Sequence, residues 1–68
     1  MYDLEIYFDG IDHNHDFITD RQSPVVPIVG NDMMIVYSGY LYRGEVSNIC
    51  YNFKEDGKFN ICVGVKES

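Results

Sequence analysis

Tryptophan is absent from this chain, and positive charge is almost absent from its first half. Residues 1–32 carry a single base, Arg21, beside seven acids: Asp3, Glu5, Asp9, Asp12, Asp16, Asp20 and Asp32. Residues 33–68 hold four acids and four bases, so the whole net charge of −6 belongs to the first half. A surface so poor in Lys and Arg repels phosphates, which argues against nucleic acid as a direct ligand. Scattered acids also keep a small protein soluble. Solubility alone accounts poorly for seven acids against one base, and a one-sided acidic end points to a basic protein partner.

Other absences are as informative. No apolar run approaches the roughly 20 residues of a membrane span. The start, MYDLEIYFDG, has no basic segment followed by an apolar stretch, so a signal peptide, a membrane partner and an export route are not expected and a cytoplasmic location is. Only two cysteines are present, and in that compartment Cys50 and Cys62 are expected as reduced thiols. Neither a G-x-S-x-G elbow nor a phosphate-cradling G-x-x-x-x-G-K-[ST] loop occurs. Asp12-His13-Asn14-His15-Asp16 is the most ligand-like string, but a catalytic zinc needs a third protein ligand and none is identifiable. With no nucleophile, base and cleft in evidence, no enzyme, cofactor or metal site is expected.

What is present is aromatic. Six Tyr and four Phe make 15% of 68 residues, enough to credit a folded core. The length allows one domain that buries only about 60% of its unfolded surface, so self-association into a homo-oligomer is a reasonable expectation.

No segment shows helical apolar spacing, whereas strand alternation and turn dipeptides recur. The pattern predicts an all-β domain spanning 1–68, with about five antiparallel strands near 2–8, 11–18, 33–37, 40–54 and 58–66. Its expected architecture is a small SH3-like barrel or curved meander. In the first hairpin, Asp9-Gly10 suits a two-residue turn that pairs Phe8 with Ile11 and Tyr2 with Phe17. That register sets His13 and His15 beside Ile6 and Leu4, and acid pH would then weaken the hairpin. A three-residue loop is the alternative; a one-residue slip would turn every side chain to the other face. Residues 19–32, with Pro24, Pro27 and Gly30, read as a long connection whose Val25, Val26, Ile28 and Val29 cover one end of the core. Ser38-Gly39 reads as a turn, and Gly44 as a bulge or bend inside a long strand.

The last hairpin is the best determined. Ile49, Tyr51 and Phe53 share odd numbering with Phe59, Ile61, Val63 and Val65, so an odd-length loop is required. Glu55-Asp56-Gly57, with Gly57 in the left-handed region, supplies it. Phe53 then faces Phe59, Tyr51 faces Ile61 and Ile49 faces Val63. On the other face Asn52 meets Asn60 and Cys50 meets Cys62. The two cysteines read first as small, partly buried residues of the outer face, since a cross-strand disulfide is strained.

Two groups are candidates for binding. One is the acidic set Asp3, Glu5, Asp9, Asp12, Asp16 and Asp20. The other is Tyr37, Tyr40 and Tyr42 with the adjacent Arg43, residue types enriched in binding hot spots. The same tyrosines could equally cap the core.

The run Pro27-Ile28-Val29-Gly30-Asn31-Asp32, followed by Ile35, Gly39, Tyr42, Gly44-Glu45-Val46 and the closing hairpin, resembles the layout of SH3-like small barrels. The chain departs from the nucleic-acid-binding members, whose basic surface it lacks. In size and charge it is also similar to short acidic proteins of phages and mobile elements, some of which block host defence enzymes by occupying nucleic-acid or partner surfaces. The resemblance implies a non-catalytic binding protein, an inhibitor of a host defence or nucleic-acid-processing enzyme acting through the acidic face. Two alternatives stand beside it. One is a binder of a small nucleotide-like ligand through the tyrosines and Arg43. The other is a structural accessory subunit presenting an unpaired sheet edge.

Overall fold

Five strands and no helix make up the computed structural model, which describes residues 1–9 and 15–67, the side chains of Asp9 and of residues 15–19 excepted. The strands are β1 (Tyr2–Asp9), β2 (His15–Ser23), β3 (Asp32–Tyr37), β4 (Tyr40–Phe53) and β5 (Phe59–Glu67). They form a single sheet in the order β2-β1-β5-β4-β3, curled into a half-barrel. The expected all-β fold, with about five strands in a small barrel or curved meander, is therefore what the chain adopts.

The closing hairpin takes the register its alternation demands. Phe53 pairs with Phe59, Tyr51 with Ile61, Ile49 with Val63, Asn52 with Asn60 and Cys50 with Cys62. Gly57 sits at φ 84°, and its N–H donates to the Lys54 carbonyl at 3.1 Å. The Asp56 side chain accepts from the Lys58 N–H at 2.9 Å, which fixes the loop's second half. Ser38 and Gly39 form a two-residue turn between Tyr37 and Tyr40, both at positive φ (52° and 78°), as a type I′ hairpin requires.

One pairing departs from the antiparallel expectation: β1 runs parallel to β5, with Leu4, Ile6 and Phe8 opposite Ile61, Val63 and Val65. Alternation marks which residues share a face but not which way a strand runs, so both directions fit the sequence. Parallel neighbours need a long crossover, and here three strands intervene. Leu4, Ile6, Phe8, Ile35, Val46, Ile61, Val63 and Val65 are the buried core, with Val26, Met33, Tyr42 and Ile49 packed against it. Each fully buried aliphatic side chain contributes roughly 1.5–3 kcal/mol.

The first hairpin also differs. Phe8 pairs with Asp16 and Tyr2 with Ser23, not with Ile11 and Phe17, and an irregularity falls between Ile6 and Tyr7. Leu4 lies opposite Arg21 and Ile6 opposite Thr19, so His13 and His15 are not set against Leu4 and Ile6. His15 pairs with Asp9, while the proposed Asp9-Gly10 turn and His13 lie outside the described residues. The apolar-on-apolar argument fails because β1 takes its apolar neighbour from β5 and leaves β2 as a polar edge.

The connection is consequently shorter than expected, residues 24–31. Asn31 N–H donates to the Ile28 carbonyl at 3.1 Å across a turn with Gly30 at φ 98°. The Gly30 N–H donates to the Val46 carbonyl and the Val46 N–H to the Asn31 carbonyl, both at 2.9 Å. These two bonds tie the connection to β4 where its pairing with β5 shifts, between Val46 and Asn48. The irregularity expected at Gly44 is thus displaced towards Ser47. Gly44 itself is buried, and a Cβ there would meet the Lys66 carbonyl and lie 2.8 Å from a Val65 methyl. Of the four aliphatics expected to cover the core only Val26 packs against it; Val25, Ile28 and Val29 are exposed. Beneath them runs an apolar groove of about 480 Å³ bordered by Leu4, Met33 and Val46. Curling brings the two sheet edges within side-chain reach, and Arg21 of β2 donates to the Val36 carbonyl of β3 at 2.8 Å. No helix among the described residues is long and apolar enough to cross a membrane.

Candidate functional site, an acidic outer face

Alternation along β1 sends Leu4, Ile6 and Phe8 into the core and Asp3, Glu5 and Tyr7 to the opposite, outer face. The β1–β2 register then sets Asp3 opposite Gln22 and Glu5 directly opposite Asp20. Gln22 Nε2 donates to Asp3 Oδ1 at 3.1 Å. Asp3, Glu5, Asp20 and Gln22, with the bases Arg21 and Lys54, border a shallow depression of about 360 Å³.

Glu5 is fixed from two sides. The Tyr7 hydroxyl donates to Glu5 Oε2 at 2.9 Å, and the Cys62 thiol donates to the same oxygen at 3.7 Å. The parallel β1–β5 register brings Cys62 there, opposite Glu5. Asn60 Nδ2 donates to Cys62 Sγ at 3.9 Å, and Asn52 Nδ2 donates to Asn60 Oδ1 at 3.2 Å. Asn60 is buried, and this chain of bonds satisfies it. A polar network thus crosses the outer face from β1 to β4 and holds one carboxylate in place.

The network leaves its mark on proton affinities. The hydrogen bond to the Glu5 carboxylate, with burial and the negative charge adding to it, pushes the Tyr7 phenol above its usual value. Burial first, then the charge of Glu5, pushes the Cys62 thiol up as well. A thiol held protonated in this way is a poor nucleophile and a poor metal ligand. Cys50 and Cys62 are opposite each other as expected, and both are free.

The ten residues singled out from the sequence do not form one site. Asp3, Glu5 and Asp20 come together on the outer face. Asp9 and Asp16 lie at the far end of β1 and β2, with side chains outside the described set, and Asp12 is outside it altogether. Tyr37 and Tyr40 are exposed and face each other across the β3–β4 turn. Tyr42 packs its ring against Phe8 at 5.4 Å between centroids, a core contact. Arg43 sits one residue on, opposite Met34, and so projects from the other face of the sheet. The tyrosines and Arg43 therefore do not converge, because consecutive strand residues point to opposite sides. Among the described residues no group of three His, Cys, Asp or Glu is placed to hold a metal ion.

Sequence reasoning missed Tyr7, Asn60, Cys62 and Lys54 as members of the acidic face. Their participation depends on the β1–β5 pairing, which joins residues 57 positions apart. It also missed that Tyr2, Tyr51, Phe53 and Phe59 stay exposed on the core side of the sheet. No protein-family model matches the chain, and neither a curated protein nor a solved structure shows a match to it.

Proposed function

We propose that the chain is a non-catalytic binding protein whose acidic outer face receives Lys and Arg side chains of a basic, nucleic-acid-handling protein. On this reading it competes with nucleic acid for that surface, as an inhibitor would. The observation that carries the proposal is the direct cross-strand opposition of Glu5 and Asp20, with Asp3 on the same face. Like charges set opposite each other on a sheet cost stability. With Asp3 beside them, the two carboxylates gather negative charge on one face, the complement of a surface rich in Lys and Arg. The bonds from Tyr7 and Cys62 hold Glu5 in place, so little side-chain freedom remains to be lost when a partner binds.

The test is capture by the tagged protein at low salt from nuclease-treated bacterial lysate, alongside the variant Asp3→Asn/Glu5→Gln/Asp20→Asn. Steered association should make retention of a basic nucleic-acid-handling protein salt-sensitive and should abolish it in the triple variant. Capture unchanged by the three substitutions would refute the acidic face as the site. The nucleotide-ligand reading loses support, since Tyr42 is used in packing and Arg43 faces away from the tyrosines.

A further inference from the structure

Cys62 belongs to the network that fixes Glu5, and directly opposite it on the neighbouring strand stands a second thiol, Cys50. Alternation turns both side chains to the outer face of the sheet. Their spacing follows from the hairpin loop. The Lys54 N–H donates to the Lys58 carbonyl at 2.8 Å, so these two residues form a hydrogen-bonded pair. Such pairs alternate along an antiparallel ladder, which makes Asn52–Asn60 and then Cys50–Cys62 hydrogen-bonded pairs as well. The register shift lies beyond them, between Val46 and Asn48. Cα atoms of a hydrogen-bonded pair are about 5.5 Å apart. A disulfide spans roughly 4.4–6.8 Å between Cα atoms, so the two strands already hold the thiols at bridging distance. Cys50 is exposed and Cys62 is partly so, and both are free.

We infer that Cys50 and Cys62 form a reversible thiol–disulfide site that reacts with hydroperoxides, and that closing it withdraws a hydrogen bond from Glu5. Cys50, the more accessible thiol, reacts first. Its thiolate attacks a peroxide oxygen, the O–O bond breaks, the alkoxide leaves and takes up a proton, and Cys50 becomes a sulfenic acid. The Cys62 sulfur then attacks the Cys50 sulfur. The S–O bond breaks, and the hydroxide leaves as water with the Cys62 proton. Two thiols and one hydroperoxide thus give a disulfide, an alcohol and water, with two electrons passing from sulfur to the peroxide. Burial and the charge of Glu5 hold the proton on Cys62, which makes it the second sulfur to react. Asn60 Nδ2 donates to Cys62 Sγ at 3.9 Å and orients it. In the reduced form the Cys62 thiol donates to Glu5 Oε2 at 3.7 Å, and a disulfide has no S–H to donate. The Tyr7 hydroxyl keeps its bond to the same oxygen. A bridge across two strands is strained, and strained, exposed disulfides are readily reduced. The pair is therefore suited to opening and closing, not to stapling the fold.

The test treats the reduced protein, at low protein concentration, with an equivalent of hydrogen peroxide. Intact mass should fall by two hydrogen atoms without a doubling of the chain, and peptide mapping without reductant should find Cys50 joined to Cys62. Dithiothreitol should restore the starting mass. Cys62→Ser should stop at the Cys50 sulfenic acid, which dimedone traps, whereas Cys50→Ser should slow the reaction with peroxide about tenfold or more. Each substitution exchanges one sulfur for oxygen and should leave the far-ultraviolet circular dichroism unchanged. The carbon-13 resonance of the Glu5 carboxyl group should move when the unaltered protein is oxidised and return with dithiothreitol. In Cys50→Ser, treated alike, it should stay where it is. Oxidation of Cys50 with no bridge to Cys62, a bridge formed only between chains, or a bridge that dithiothreitol does not open would overturn the inference. A bridge that leaves the Glu5 resonance in place would overturn its effect on the acidic face.

Discussion

Glu5 is the residue to which the outer face is anchored, and its neighbours report on it. Folding raises the proton affinity of both Tyr7 and Cys62. For such groups the unfolded chain gives up its proton first, so their stabilisation is complete below their ordinary values and is lost as pH rises through the raised ones. The urea midpoint should therefore fall as pH rises past about 8.5, where an ordinary thiol is half-ionised. Glu5→Gln should flatten that fall, and a pH series of urea titrations on the two proteins measures it. The same substitution should speed alkylation of Cys62, which in the unaltered protein should lag behind the more exposed Cys50. Peptide mapping after timed iodoacetamide exposure distinguishes the two sites. Ser38 offers a simpler test. It adopts φ 52°, a region costing an ordinary residue about 1–2 kcal/mol, and Ser38→Asn should stabilise the fold by up to about 1 kcal/mol in chemical denaturation.

Among the elements, β5 is the most deeply buried, since Ile61, Val63 and Val65 are each fully buried between β1 and β4. Ile61→Ala should cost about 2–5 kcal/mol, which takes a domain this small to the edge of unfolding at room temperature. Gly44→Ala should cost about 1–3 kcal/mol, because its Cβ would press on the backbone of β5, which cannot rotate away. Thermal melts of the two variants check both values. The β4–β5 hairpin was legible from its loop back to the Ile49–Val63 pair, since one parity rule and one Gly at positive φ leave a single register there; the shift between Val46 and Asn48 was not. The β1–β2 register was not. It follows from β1 pairing with β5, and no local pattern announces a partner more than fifty residues away. For the same reason three acids of the outer face could be named in advance, but the Tyr7–Glu5–Cys62–Asn60 network could not. Grouping Arg43 with the tyrosines rested on closeness in sequence, and strand alternation undid it.

At the scale of the whole molecule, the parallel β1–β5 pairing and the β1–β2 register together gather Asp3, Glu5 and Asp20 on one face of the sheet. The most direct measurement is capture from nuclease-treated lysate at low salt, with the unaltered protein and Asp3→Asn/Glu5→Gln/Asp20→Asn compared side by side by mass spectrometry. A basic nucleic-acid-handling protein retained by the first, and reduced at least tenfold, about 1.4 kcal/mol, with the second is the result expected. The same proteins retained equally by both would contradict the acidic face as the binding surface.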